Sequence, residues 1–184
     1  MHTWRIGRIG MQMALLLLVA VVGTGWADDF KLEEGFTRLD NGKNLEGWTG
    51  KTDGWSVVKG AIHLDAKKAK GHIYSKTKHS KNCVIRMQFR AAKRADSGVY
   101  IYGRQFQVRD YPTAGPGKYA KFAKSAGEWN NLEWDISDGV AVVKLNGKVI
   151  EKAWKIGDKA DQGIGLQKES GDFDFRRVRV KEKK

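Results

Sequence analysis

The sequence predicts an all-β protein, an antiparallel β-sandwich or jelly roll. Three observations carry this. About a dozen short segments alternate apolar and polar residues with a period of two. Turn residues (Asp-Asn-Gly, Lys-Gly, Asn-Gly) separate them. No stretch of useful length repeats its apolar residues at helical spacing. The 184 residues are enough for one domain with a full core, expected over 28–184. No internal repeat points to a propeller or solenoid.

In chain order, Arg5 and Arg8, the apolar run Met11–Val22 and Gly25-Trp26-Ala27 have the layout of a secretory signal peptide, residues 1–27, cut after Ala27. The alternative is an uncleaved anchor, but the uninterrupted apolar core is short against the roughly 20 residues of a spanning helix. This layout predicts a periplasmic or secreted protein with no transmembrane span after cleavage. Phe36–Leu39 alternates as a strand and enters the Asp40-Asn41-Gly42 turn; Leu45 and Gly47-Trp48 follow. Trp55–Val58 and Ala61–Asp65 form a hairpin about Lys59-Gly60, and His72–Ser75 is a further short strand.

Asn82–Asp110 holds three strands in close succession, with Gly103 allowing a bend between the second and third. Tyr111–Gly127 contains Pro112, Gly115, Pro116 and Gly117 and reads as a long loop, either functional or a plain connector. Trp129–Ile136 resumes strand character. Val140–Leu145 and Lys148–Trp154 flank Asn146-Gly147, which suits a type I′ turn. Gly163–Gln167 and Phe173–Val180 close the chain, the latter with a bulge expected near Arg176-Arg177.

The strand Asn82–Arg90 turns Cys83, Ile85, Met87 and Phe89 one way and Arg86, Gln88 and Arg90 the other. Its available face offers arginine and glutamine where a solvated face usually offers lysine, glutamate and serine. Taken with the next two strands, Arg86, Gln88, Tyr100, Tyr102, Gln105 and Gln107 read as one open face. Aromatic rings stack on sugars, and arginine and glutamine bond arrays of hydroxyls, so the face suits carbohydrate. The alternative is that some of these residues, Tyr100 and Tyr102 above all, pack under loops.

The net charge of +13 suits an anionic glycan or envelope surface. Export and the scattered lysines argue against nucleic acid. Cys83 is the sole cysteine and reads as a buried hydrophobe, so there is no intramolecular disulfide. His2, His63, His72 and His79 show no zinc-site spacing, and no metal ligand is assigned. No cofactor is expected. Oxygen ligands leave weak sequence traces, so a divalent cation such as calcium stays open. P-loop, dinucleotide and G-x-S-x-G motifs are absent.

The pieces TRLDNGKNLEGW, NCVIRMQFR, DSGVYIYGRQFQVRD, AGEWNNLEWDI, VVKLNGKVI, GIGLQ and FDFRRVRVK, in this order, resemble the 3-keto-disaccharide hydrolase domain family over nearly all of Phe36–Lys181. The resemblance implies a concanavalin A-like sandwich. It also implies an exported hydrolase that cleaves 3-keto-glycosides by β-elimination and hydration. Arg86 and Arg90 match family arginines, while Val84 and Gln88 stand where that piece has glutamates. Gln107 and Asp110 match the E-x-Q-x-x-D piece, with Gln105 in place of its glutamate. Lys168 and Glu169 follow Gln167 where an aspartate and a histidine are frequent. The resemblance therefore points to Asp110 and Glu169 as catalytic carboxylates, with Lys118, Tyr119 and His72 as helpers that contact substrate. The alternative function is a non-catalytic carbohydrate-binding module of the same fold.

Overall fold

The computed structural model describes residue 1 and residues 30–114, 117–159 and 162–184. The expected signal peptide lies outside the described residues. Thirteen strands appear among those described: β1 (Thr37–Arg38), β2 (Trp48–Gly50), β3 (Trp55–Val58), β4 (Ala61–Leu64), β5 (Ile73–Ser75), β6 (Cys83–Ala91), β7 (Asp96–Ile101), β8 (Arg104–Arg109), β9 (Asn130–Ser137), β10 (Val140–Leu145), β11 (Lys148–Lys155), β12 (Gly165–Leu166) and β13 (Phe173–Glu182). The only helical turn among the described residues is a 3-10 turn at Ala120–Phe122. The all-β prediction holds.

The strands form two antiparallel sheets. The larger runs β11-β10-β9-β6-β13-β4-β3, with β1 also on β13; the smaller runs β2-β5-β12-β7-β8. Asn146-Gly147 and Tyr102-Gly103 turn two of the hairpins with positive φ at both residues (+49° and +81°, +52° and +79°). That is the type I′ geometry whose twist matches the flanking strands. On β13 the register slips between Arg176 and Arg179, with Arg177 at φ +55°. The bulge is where the sequence predicts it. Buried Asp40 secures it by accepting from the Arg177 backbone N–H at 3.0 Å and from Arg38 at 3.1 Å.

Alternation sorts the side chains. Cys83, Ile85, Met87 and Phe89 of β6, Leu132, Trp134 and Ile136 of β9, and Val99, Ile101, Phe106 and Val108 of β7 and β8 fill the space between the sheets. Trp134 is fully buried and meets the Phe106 ring edge-on at 5.4 Å across that space. Cys83 is a free, buried thiol whose pKa burial pushes up to about 12, so it is a core residue and not a nucleophile.

Trp134 bridges both sheets, so Trp134→Ala is expected to lower the unfolding free energy by about 3–5 kcal/mol. Urea denaturation checks this. A loss below about 1 kcal/mol would mean the core closes without it.

Candidate functional site

The open face read from the sequence divides in two. β6 lies in the larger sheet and β7 and β8 in the smaller, because the chain crosses the sandwich after β6. Arg86 and Gln88 therefore point off one side of the molecule, and Tyr100, Gln105 and Gln107 off the other. Alternation tells which side of its own sheet a residue occupies, and it is blind to which sheet that is.

The larger sheet's outer face is already paired. Arg86 donates to Glu133 at 2.7 Å, reaches Glu33 at 3.4 Å and lies over the Phe36 ring. Gln88 donates to Asn131 and accepts from Arg176, each at 2.7 Å. Glu33 also takes two bonds from Arg179, at 2.7 and 2.6 Å. These contacts fasten the segment before β1 to the sheet. The single face expected to join Arg86 and Gln88 to Tyr100, Gln105 and Gln107 is therefore corrected; Arg86 instead borders a separate cavity of about 250 Å³ with Glu33, Glu133, Lys144 and Arg179.

Two other expectations are corrected. Tyr102 sits in the β7–β8 turn, buried, with its hydroxyl donating to the His79 carbonyl. It packs inside and lines no open face. Asp110 is also buried. Its carboxylate accepts the Arg94 backbone N–H at 2.9 Å and the Thr113 hydroxyl, and its carbonyl accepts from Thr113 and Ala114. Asp110 builds the turn after β8 and has no solvent path to a substrate.

The smaller sheet's outer face is assembled by register. Thr49, Tyr74, Gly165, Tyr100 and Gln105 lie opposite one another across β2, β5, β12, β7 and β8. In the next row Gln167 pairs by backbone with Gly98, which faces Gln107. Glycine is required in both rows. A Cβ at Gly98 would lie 2.6 Å from Gln167 Oε1, and one at Gly165 would lie 2.5 Å from Tyr74 Cε1. The side chains thus lie flat over the sheet. Gln105 donates to Gln167 at 2.7 Å, and Gln107 donates to the Asp96 carboxylate, which Arg109 also approaches at 3.4 Å. The Tyr100 ring lies 5.4 Å from His72 and 6.2 Å from Tyr74.

Each end of this strip opens into a cavity. At the β2–β5 end a space of about 480 Å³ is bordered by Lys51, Lys70, His72, Tyr74 and Lys168. His72 Nδ1 accepts the Lys168 backbone N–H at 3.0 Å. A nitrogen that accepts cannot carry the proton, so the neutral ring holds it on Nε2. Burial lowers the His72 pKa; the Glu169 charge pulls it up and the Lys168 charge pushes it down. Glu169, exposed, also acts on Tyr100, whose pKa is raised first by burial and then by that charge. The Glu169 charge thus acts on two residues of this face.

At the other end, between the β8 and β11 edges, a cleft of about 490 Å³ brings together Gln105, Gln107, Lys118, Tyr119, Glu151 and Trp154. Glu151 accepts from both Lys118 and Tyr119. Burial raises its pKa, but those two bonds outweigh burial and hold the carboxyl below its ordinary value. Lys118 and Tyr119 therefore reach the strip, occupied by Glu151.

Sequence reasoning missed Asp96, Tyr74 and Glu151 as members. Asp96 and Tyr74 share the phase of Tyr100 on their strands, a usable signal. Glu151 had none, since KVIEKAWK shows no clean alternation. Among the described residues no three His, Cys, Asp or Glu side chains gather as a metal site, and no helix is long and apolar enough to cross a membrane.

Residues 35–181 match the sequence profile of the 3-keto-alpha-glucoside-1,2-lyase-like domain. No curated protein matches the chain. Among solved structures, a Parabacteroides distasonis protein provisionally described as a glycosyl hydrolase is 19% identical, with a TM-score of 0.67 over 84% of this chain and 99% of that one. A second from the same organism, described alike, is 19% identical with a TM-score of 0.64 over 80% and 99%. A Bacillus subtilis protein of unknown function with a galectin-like fold is 10% identical, with a TM-score of 0.52 over 80% and 94%. At these identities the likeness is one of fold, the concanavalin A-like sandwich.

His72 provides a pH test. Its folded pKa is lowered from 6.5, so below that value the unfolded chain binds more protons than the folded one. Its contribution to stability is full above pH 6.5 and is lost as pH falls through the folded pKa. Buried His79 acts in the same direction. NMR titration should find His72 titrating below 6.5 as the Nε2–H tautomer, and urea midpoints should fall with pH in the same window. An Nδ1–H tautomer would contradict the Lys168 contact.

Proposed function

Since the chain belongs to the 3-keto-alpha-glucoside-1,2-lyase-like domain family, and is by that membership carbohydrate-active, we propose that it cleaves 3-keto-glycosides on the outer face of its smaller sheet. The observation that carries the reading is a His72 whose Nδ1 is taken by the Lys168 N–H and whose ring lies 5.4 Å from Tyr100 on this face, with the Glu169 charge acting on both rings. A ketone at C3 acidifies the proton at C2. The Glu169 carboxylate takes that proton while the His72 Nε2–H bonds to the ketone oxygen and stabilises the developing enolate. The C1–C2 double bond then forms as the C1–O bond to the aglycone breaks, and the departing oxygen takes up a proton. Water adds its hydroxyl at C1 and a proton at C2, so the net change is hydrolysis. Tyr74, Tyr100, Gln105, Gln107 and Gln167 supply ring faces and amides for the sugar. The reaction as written uses no cofactor.

The charge of +13 supports a negatively charged glycan or envelope surface as the setting, and the layout of residues 1–27 supports the periplasm or the exterior as the place. A second reading, a non-catalytic glycan-binding module, draws on Gln105 standing where a carboxylate base would be and donating to Gln167.

Incubation of the protein with a 3-keto-glucoside should release the aglycone. Glu169→Gln is expected to lower the rate by about 10²–10⁴-fold, whereas Asp110→Asn keeps it. Undiminished turnover in Glu169→Gln would remove Glu169 as the base. Saturable sugar binding without any release by the wild-type protein would favour the binding module.

A further inference from the structure

Three lysines, Lys51, Lys70 and Lys168, border the His72 cavity. Lys68, Lys118, Lys144 and Lys183 each meet a carboxylate. Among the described residues Lys51 and Lys168 have no carboxylate partner, and Lys70 has only Asp53 at 4.0 Å, both side chains largely exposed. Three lysines thus border one cavity whose lining holds no carboxylate. Glu169, whose charge acts on His72, is not among the residues lining it.

The backbone directs one of these lysines. The Lys51 stem lies across Gly71, where a Cβ would come within 2.8 Å of Lys51 Cδ. Gly71 is fixed by the Trp55 indole N–H donating to its carbonyl at 2.9 Å, and Lys51 by its own N–H donating to the His72 carbonyl at 3.1 Å. The stem is therefore laid along the cavity wall, with Lys51 still exposed to solvent. Tyr74 borders the same space with an aromatic ring suited to a sugar.

We infer that this cavity is a subsite for an anionic substituent, a carboxylate or sulfate ester, on the glycan bound to the face. The inference rests on the reading that the smaller sheet's outer face binds carbohydrate. Clustered cations of one sign raise the local concentration of anions and pair with carboxylate or sulfate oxygens as they arrive. Neutral sugars gain nothing from them. The subsite would make the protein selective for acidic glycans, whichever bond it then breaks.

Unoxidised sugars test this without any turnover. Affinities for methyl glucuronide, a sulfated methyl glucoside and neutral methyl glucoside are measured by NMR titration at low and high salt. The wild-type protein should prefer at least one anionic sugar by about tenfold at low salt, the size expected of a few partly solvated charge pairs. That preference should shrink as salt screens it. The pair of acidic ligands shows which anion is taken. In Lys51→Met with Lys70→Met, stems retained and melting temperature checked, the anionic-to-neutral ratio should fall toward one. A ratio near one in the wild type, a ratio insensitive to salt, or a ratio that survives the double substitution would overturn the inference. A preference that is present without cleavage of any 3-keto-glycoside would overturn the proposed reaction and leave this subsite standing.

Discussion

The smaller sheet is joined at its centre by two residues, Gly165 and Leu166 of β12, and the whole candidate site depends on that junction. Leu166 is fully buried in the core, while Gly165 has room for no side chain beneath Tyr74. So short a strand provides few ladder bonds, and side chains extend it. The Ser75 hydroxyl accepts the Ile164 N–H at 3.0 Å, the Ser97 hydroxyl donates to the Gln167 carbonyl at 2.7 Å, and His72 accepts from Lys168. Those bonds come from β5 on one side and β7 on the other. They fix the spacing of Tyr74, Tyr100, Gln167 and His72, which no single hairpin could do.

The two outer faces of the sandwich use their polar groups differently. On the larger sheet, Arg86, Arg90, Arg176 and Arg179 spend their donors on Glu133, Asp174, Gln88 and Glu33. Exposed pairs of this kind add little stability one by one, but together they hold the first described segment against the sheet. On the smaller sheet several of the partners are neutral amides, beside the Asp96 carboxylate that takes Gln107. An amide has two donors and two acceptor sites, and Gln105, Gln107 and Gln167 use only part of that capacity among themselves. A hydroxyl-rich ligand meets open bonding positions there.

Most of the fold was legible in the sequence, because period-2 alternation and turn chemistry act locally. The β10–β11 hairpin, the β13 bulge and the three strands of 82–110 all follow from a few adjacent residues. What local pattern cannot carry is the assignment of consecutive strands to sheets. Arg86 and Gln107 share a phase and lie on opposite sides of the molecule. The family resemblance likewise matched Asp110 to a catalytic carboxylate, whereas the structure makes it a buried turn residue. Glu169 follows a recognisable strand, and the action of its charge on His72 depends on the β5–β12 pairing, a contact far apart in sequence. Glu151 is brought to the cleft by a hairpin edge and left no trace in the pattern.

The glutamines at 105 and 107 and the neutral imidazole of His72 are best understood together. A histidine beside several carboxylates is pulled toward its charged form, and an imidazolium has lost the acceptor that takes the Lys168 N–H. On this face only Glu169 pulls in that direction, and it is opposed by burial and by the Lys168 charge. Gln105, an amide where the family piece has a glutamate, adds no further charge to that balance. The imidazole therefore keeps the acceptor that takes the Lys168 N–H, and the ring's proton stays on Nε2.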